Sequence, residues 1–453
     1  MASKEVTKKT MDKTQEQEPQ QKSSAYGMIV RALLIVALAY FMVKPYFDKP
    51  REDNSVRQTF KVRGQTMGTT WNAAIVASST QLIKLNNDGV ADDPQKNQDK
   101  YELINSCEEL LARIVQRELD KIDSIASTYR PNSELTLFNR SDSTDWFPVS
   151  EDLAKIVSDA LSVSSKTKGA FDVTVAPLVN LYRFGPNKSP LASLPTDEEI
   201  EALRARVGYD KLEARISPAP ALRKSNPDVT IDLSSVAKGY AVDLVANALE
   251  KAGLNDYLVE VGGEIRCRGK KLDPISGESV PWTLGIQTPE LLDPNASRFP
   301  DVYRFLYFDS SEESGVLATS GDYNNYLQVG DVRFSHFIDP RTGRPTEMIN
   351  VNDAPGARLG SVSVVSNDSR SLSCALADAY ATAFSVLGEK EGLPIANELG
   401  LSVLFLYCSD DAASSLNEVM SEPFKSKINT KRADEADAEP IPTQDEKKNN
   451  DDK

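Results

Sequence analysis

Chemistry in this chain is concentrated in a few short stretches. The most suggestive is Ile231-Asp232-Leu233-Ser234-Ser235-Val236-Ala237-Lys238-Gly239-Tyr240. A strand-like run ends at Asp232, and a helix is predicted to open at Ser234 or Ser235 and run to Lys251 before Gly253. The free N–H groups of a helix N-terminus attract phosphate. Serines there are also ordinary caps. Lys238 fits the capping reading less well, because a cation near a helix N-terminus is disfavoured unless an anion is present.

Asp378 and Thr382 stand four residues apart, so on a helix both side-chain oxygens face one way. Such a pair suits a hard cation that a phosphate also touches; a helix-start aspartate with a back-bonded threonine is the plainer alternative. Ser335-His336-Phe337-Ile338-Asp339-Pro340-Arg341-Thr342-Gly343 ends in a turn signal and holds the only histidine. His336 is either a base or a satisfied structural imidazole. Gly169-Ala170-Phe171-Asp172-Val173-Thr174 sets an aspartate among apolar residues, either against a ligand edge or as a turn cap. Gly64-Gln65-Thr66-Met67-Gly68 brackets Met67 with glycines that permit a tight bend. Val261-Gly262-Gly263-Glu264 allows close backbone approach to a ligand or a strand bulge.

The elements that must position these residues mix helix and strand. Apolar spacing predicts helices over 101–127, 153–165 and 198–206, and strands over 258–261, 282–287, 360–365 and 401–406. The order lacks a regular βαβ rhythm, which points to an α+β fold. Residues 84–100, 270–281 and 289–301 are polar or rich in Pro and Gly and are expected to be loops.

Composition bounds the rest. The chain has 453 residues, with 52 Lys+Arg against 67 Asp+Glu, a net charge of −15. That balance argues against nucleic-acid binding. One histidine excludes multi-histidine zinc sites and leaves oxygen ligands for any metal. Cys107, Cys267, Cys374 and Cys408 are far apart and form no CxxC.

Residues 1–24 read as a disordered cytoplasmic tail. Residues 25–43 are an apolar run broken only by Arg31, and about 20 helical residues span a bilayer core. Lysines before the run place the tail inside and the rest outside, as an uncleaved anchor, although Ala37-Leu38-Ala39 resembles a signal-peptidase site. Residues 44–58 read as a linker, 59–428 as the globular domain and 429–453 as a disordered acidic tail.

The pieces are weak singly, but their order is specific. Met67-Gly68-Thr69-Thr70, Ser127-Thr128-Tyr129, residues 169–174, residues 231–243, Val261-Gly262-Gly263, Ala318-Thr319-Ser320-Gly321-Asp322-Tyr323, residues 335–343 and Ala377-Asp378-Ala379-Tyr380-Ala381-Thr382 together resemble the ApbE family, the FAD:protein FMN transferases. The resemblance covers about 60–425. It implies an α+β, ApbE-like fold related to T-fold modules. It implies that FMN passes from FAD, with Mg²⁺, to a threonine of an acceptor protein, releasing AMP. Carried over by position, Met67, Tyr129, Ala170, Phe171, Asp172, Asp232, Lys238 and Ile338 would contact FAD. Ser235, Asp378 and Thr382 would hold Mg²⁺, Ser235 through its backbone carbonyl. His336 or Asp378 would take the acceptor proton.

The family suggests an acceptor flavoprotein subunit of a membrane redox complex, and a catalytic domain on the periplasmic side of the inner membrane. Family members are often lipoproteins. This chain has no cysteine near the apolar run, so a transmembrane helix would serve as the tether. The competing activities are a Mg²⁺-dependent FAD pyrophosphatase and a non-catalytic flavin-binding accessory protein.

Overall fold

A computed structural model describes residues 56–89, 100–185, 189–289, 302–308, 314–321, 326–350, 357–409 and 416–433. Residues 1–55, which include the proposed tail, anchor and most of the linker, lie outside the described residues. Among the described residues, no helix is long and apolar enough to cross a membrane.

The framework is an eight-stranded sheet: β1 (Arg57–Thr66), β2 (Thr69–Ser78), β3 (Tyr257–Val261), β4 (Glu264–Arg268), β5 (Ser314–Gly321), β6 (Ala357–Ser366), β7 (Ser402–Ser409) and β8 (Leu416–Met420). Spatial order follows chain order, and every neighbouring pair is antiparallel. The sheet has two dry faces, and its strands alternate between them with the period of two that pleating imposes. Val316 and Ala318 join the larger core while Leu317 points to the smaller one, and Val403 and Phe405 oppose Leu404 and Leu406 in the same way.

The larger core lies under helices α1 (Lys100–Ala126), α2 (Glu151–Lys166), α3 (Ala237–Lys251) and α4 (Cys374–Glu398). The smaller one lies under a second sheet, in which Ser279–Gln287 pairs with Val302–Phe308 and the latter with Thr430–Arg432. A third cluster, including Leu178, Tyr182, Phe334 and Ile338, supports the segments nearest the site. The fold is mixed helix and sheet, as expected.

Several local expectations change. Residues 270–281 form a hairpin, with Lys270 opposite Pro281, because the turn Asp273–Glu278 is closed by its own backbone bonds. The polar stretch from 84 begins inside the helix Ser79–Gly89. Arg57 and Gln58 belong to β1 and Thr430–Arg432 to the second sheet, so ordered structure exceeds 59–428 at both ends. A three-residue charged edge strand has no apolar pattern that would separate it from a tail. Cys107, Cys267 and Cys374 are buried free thiols.

Candidate active site

The third helix sets the site's floor. It begins at Ala237, later than the serines suggested, and its N-cap Val236 makes no side-chain cap bond. Ser234 instead donates its N–H to Asp232 Oδ1 at 2.8 Å, in a turn before the helix. The missing cap comes from α4: Asp378 Oδ2 accepts the Gly239 N–H at 3.1 Å. This bond requires the two helices to touch. A Cβ on Gly239 would lie 2.3 Å from the Cys374 carbonyl oxygen, so only glycine fits the crossing.

Asp378 is 2% exposed, and its other oxygen faces Lys238 Nζ at 3.6 Å. The same ammonium donates to Glu264 Oε1 at 2.8 Å. Glu264 opens β4 immediately after a two-residue hairpin, where Gly262 (φ 61°) and Gly263 (φ 106°) take the left-handed conformations that such a turn needs. The paired glycines are therefore a tight turn rather than a bulge, and Gly262 lies over the Lys238 stem.

Burial raises the Asp378 carboxyl above the usual range, although Lys238 opposes it. Burial likewise pushes Glu264 up to about 8; Lys238 again opposes, and the Asp378 charge adds to the rise. Burial works against the Lys238 ammonium, yet Asp378 and Glu264 outweigh it and hold the lysine well above its ordinary value. Lys238 is therefore a firm cation.

A second wall comes from the segment after α2. Lys168 (φ 54°) and Gly169 (φ 81°) reverse the chain and bury Ala170 and Phe171. Asp172 does act as a cap, accepting from Thr174 N at 2.8 Å and Thr174 Oγ1 at 2.7 Å. Burial raises its carboxyl, and the Thr174 bonds pull it back. The bond from Asp232 N–H to the Val173 carbonyl, 2.8 Å, ties this segment to the turn before α3.

The third wall follows the strand Val332–Ser335. Ile338–Asp339 pairs with Arg344–Pro345, and the intervening turn closes with Gly343 N–H on the Asp339 carbonyl at 2.7 Å. Arg341 clamps this turn to Asp339 and to Glu391 of α4. His336 lies between the rings of Phe184 and Phe337, with centroids at 6.1 and 4.0 Å.

These walls enclose a cavity of about 480 Å³. Its lining includes Ala170, Phe171, Asp172, Asp232, Ser235, Lys238, His336, Ile338, Asp378 and Thr382, ten of the twelve residues singled out from sequence. Met67 and Tyr129 are not in that lining. Met67 (φ 46°) packs on the larger core, and Tyr129 is 67% exposed. Ser320, on β5, lines the cavity, and its hydroxyl is 3.4 Å from that of Thr382.

Glu264 and Phe184 line the cavity without having been expected as site residues. Glu264 carried only one signal, its place just after the paired glycines. Among the described residues, no group of three or more His, Cys, Asp or Glu is placed to hold a metal. The oxygens of Asp378, Thr382, Ser235 and Glu264 nonetheless suit a hard cation, and Glu264 Oε2 is buried without a hydrogen-bond partner. Mg²⁺ needs only one or two carboxylates when waters and phosphates supply the rest.

The chain is similar to known flavin transferases over most of its length. The chain is 34% identical over 393 residues to the FAD:protein FMN transferase of Vibrio cholerae, covering 87% of this chain and 99% of that protein. It is 33% identical to that of Escherichia coli, covering 87% and 96%. Among solved structures, the flavin transferase ApbE from Vibrio cholerae superposes with a TM-score of 0.60 at 32% identity, covering 82% of this chain and 99% of that one. The apo flavinyl transferase ApbE of Pseudomonas stutzeri gives 0.61 at 28% identity, covering 82% and 96%. The family model described as the ApbE family matches residues 67–405, and the chain belongs to that family.

Proposed function

We propose that this protein transfers FMN from FAD to a hydroxyl of an acceptor protein, with Mg²⁺ as the metal and a threonine as the attachment point. The observation that carries the reading is the single cavity that gathers Lys238, His336, Asp378 and Thr382 in a chain whose relatives are FAD:protein FMN transferases. The acceptor oxygen attacks the FMN-side phosphorus. The phosphoanhydride bond breaks, AMP leaves with the bridging oxygen, and the hydroxyl proton passes to a base.

Charge supports the metal. Four carboxylates line the cavity, Asp172, Asp232, Glu264 and Asp378, against one lysine. Those that are ionised repel a diphosphate unless a divalent cation accompanies it. Asp378, Thr382 and Ser235 would hold the cation, which would neutralise the phosphates and polarise their oxygens. Lys238 supplies a fixed positive charge where negative charge develops. Phe171 and Ile338 give apolar wall for a flavin. His336 accepts or steers the acceptor proton. His336→Ala is expected to lower transfer by about 10²–10⁴-fold with FAD still bound; near-normal transfer would remove His336 from the reaction.

The acceptor is proposed to be a flavoprotein subunit of a membrane redox complex. Residues 25–43 are proposed to anchor the protein in the inner membrane, with the catalytic domain on the periplasmic side. What supports this is the apolar run itself and the lysines before it. The discriminating test is AMP release from FAD with and without a flavin-free acceptor. Release that depends on acceptor supports transfer. Equal release in both cases makes the protein a pyrophosphatase, and tight FAD binding with no release makes it a flavin carrier.

A further inference from the structure

Glu264 has a side chain that is 3% exposed, at the cavity wall. One of its oxygens takes the Lys238 ammonium at 2.8 Å, and the other, Oε2, has no hydrogen-bond partner. A buried acceptor left without a partner is costly, more so when charged. Lys238 Nζ also lies 3.6 Å from Asp378 Oδ1, so one ammonium stands between carboxylates from β4 and α4. With both acids ionised, the trio sums to −1. A divalent cation offsets two buried carboxylates better than one ammonium does.

We propose that Glu264 is a second carboxylate of the divalent-cation site and that Lys238 stands in for the cation until it binds. Lys238 then leaves the two carboxylates and turns its ammonium to the diphosphate. Glu264 thereby sets the order of loading, because the lysine becomes available to FAD only when the cation has replaced it. The inference rests on the Mg²⁺ reading above.

The test is Mg²⁺ titration of the full-length protein by calorimetry, with and without FAD, alongside thermal melts of each variant. Glu264→Gln is expected to weaken Mg²⁺ binding by about tenfold or more. Lys238→Met is expected to strengthen it in the FAD-free protein, because a competing cation is gone. The double variant is expected to lose that gain. A purely structural Lys238–Glu264 pair would not produce the gain. If Glu264→Gln fails to fold, Glu264→Asp carries the test: it keeps the charge, shortens the reach and should also bind Mg²⁺ more weakly. Unchanged affinity in the Glu264 variants, or a Lys238→Met gain that survives in the double variant, overturns the proposal. A wild-type protein that binds no Mg²⁺ in either condition overturns the metal reading beneath it.

Discussion

Two charged clusters bridge the same three elements, α3, β4 and α4, and they are built to opposite ends. In one, Arg266 donates to Asp243 at 3.0 Å and to Glu250 at 2.8 Å, and Arg268 donates to Glu250 at 2.7 Å. The second Asp243 oxygen accepts the Ala375 N–H at 3.0 Å, and Tyr257 adds its hydroxyl to Glu250. Two cations meet two anions there, although the Nε atoms of Arg266 and Arg268 are buried without a hydrogen-bond partner, and none of the four residues lines the cavity. In the other, Lys238 alone serves Glu264 and Asp378, one carboxylate oxygen lacks a partner, and the cavity begins. A buried pair contributes little net stability, yet removing one member leaves an uncompensated charge. The balanced cluster therefore locks helices to sheet. The unbalanced one has a carboxyl to spare for a cation that loads before FAD.

Four substitutions probe that contrast. The largest effect should come from Asp378→Ala, which removes a proposed metal oxygen and should lower transfer by at least about 10²–10³-fold. It should cost less stability than the equivalent change in the balanced cluster; Mg²⁺-stimulated turnover retained by the variant would break the comparison. Asp243→Ala leaves Arg266 with Glu250 alone and the Ala375 N–H without its acceptor, and should cost about 3 kcal/mol in urea unfolding, while the fraction that remains folded binds FAD normally. Gly239→Ala tests the joint between the clusters. Its Cβ meets the Cys374 carbonyl, a backbone atom that cannot swing aside, so about 1–3 kcal/mol should be lost. Because Gly239 also donates to Asp378, transfer should fall in the same variant. The smallest effect should come from Tyr129→Ala, on an exposed side chain outside the cavity lining, with stability unchanged within about 0.5 kcal/mol. If FAD affinity nonetheless falls several-fold, Tyr129 meets the ligand from outside the cavity.

The contrast also explains what could be read from sequence. Periodicity located α1, α2 and β3 to within a residue or two at each end, but it gave neither β4 nor α4, which carry both clusters. The start of α3 was misplaced because its cap is Asp378, 139 positions from Gly239 and invisible to a local rule. The family resemblance carried by the order of the motifs named twelve residues, ten of which the fold brings to one cavity. Glu264 was quoted in a motif but not assigned to the site, because one acid opening a strand has no spacing partner and its pairing with Lys238 exists only after folding. The hairpin at 270–281 escaped because its prolines and glycines, in a polar stretch, read as a loop.

The central claim is group transfer, and covalent product tests it most directly. The full-length protein would be incubated with FAD, Mg²⁺ and a flavin-free acceptor subunit, and the acceptor analysed by mass spectrometry while AMP is quantified. The account predicts one FMN esterified to an acceptor threonine for each AMP released, with both signals abolished by chelation of the metal. AMP and free FMN accumulating beside an unmodified acceptor would contradict it.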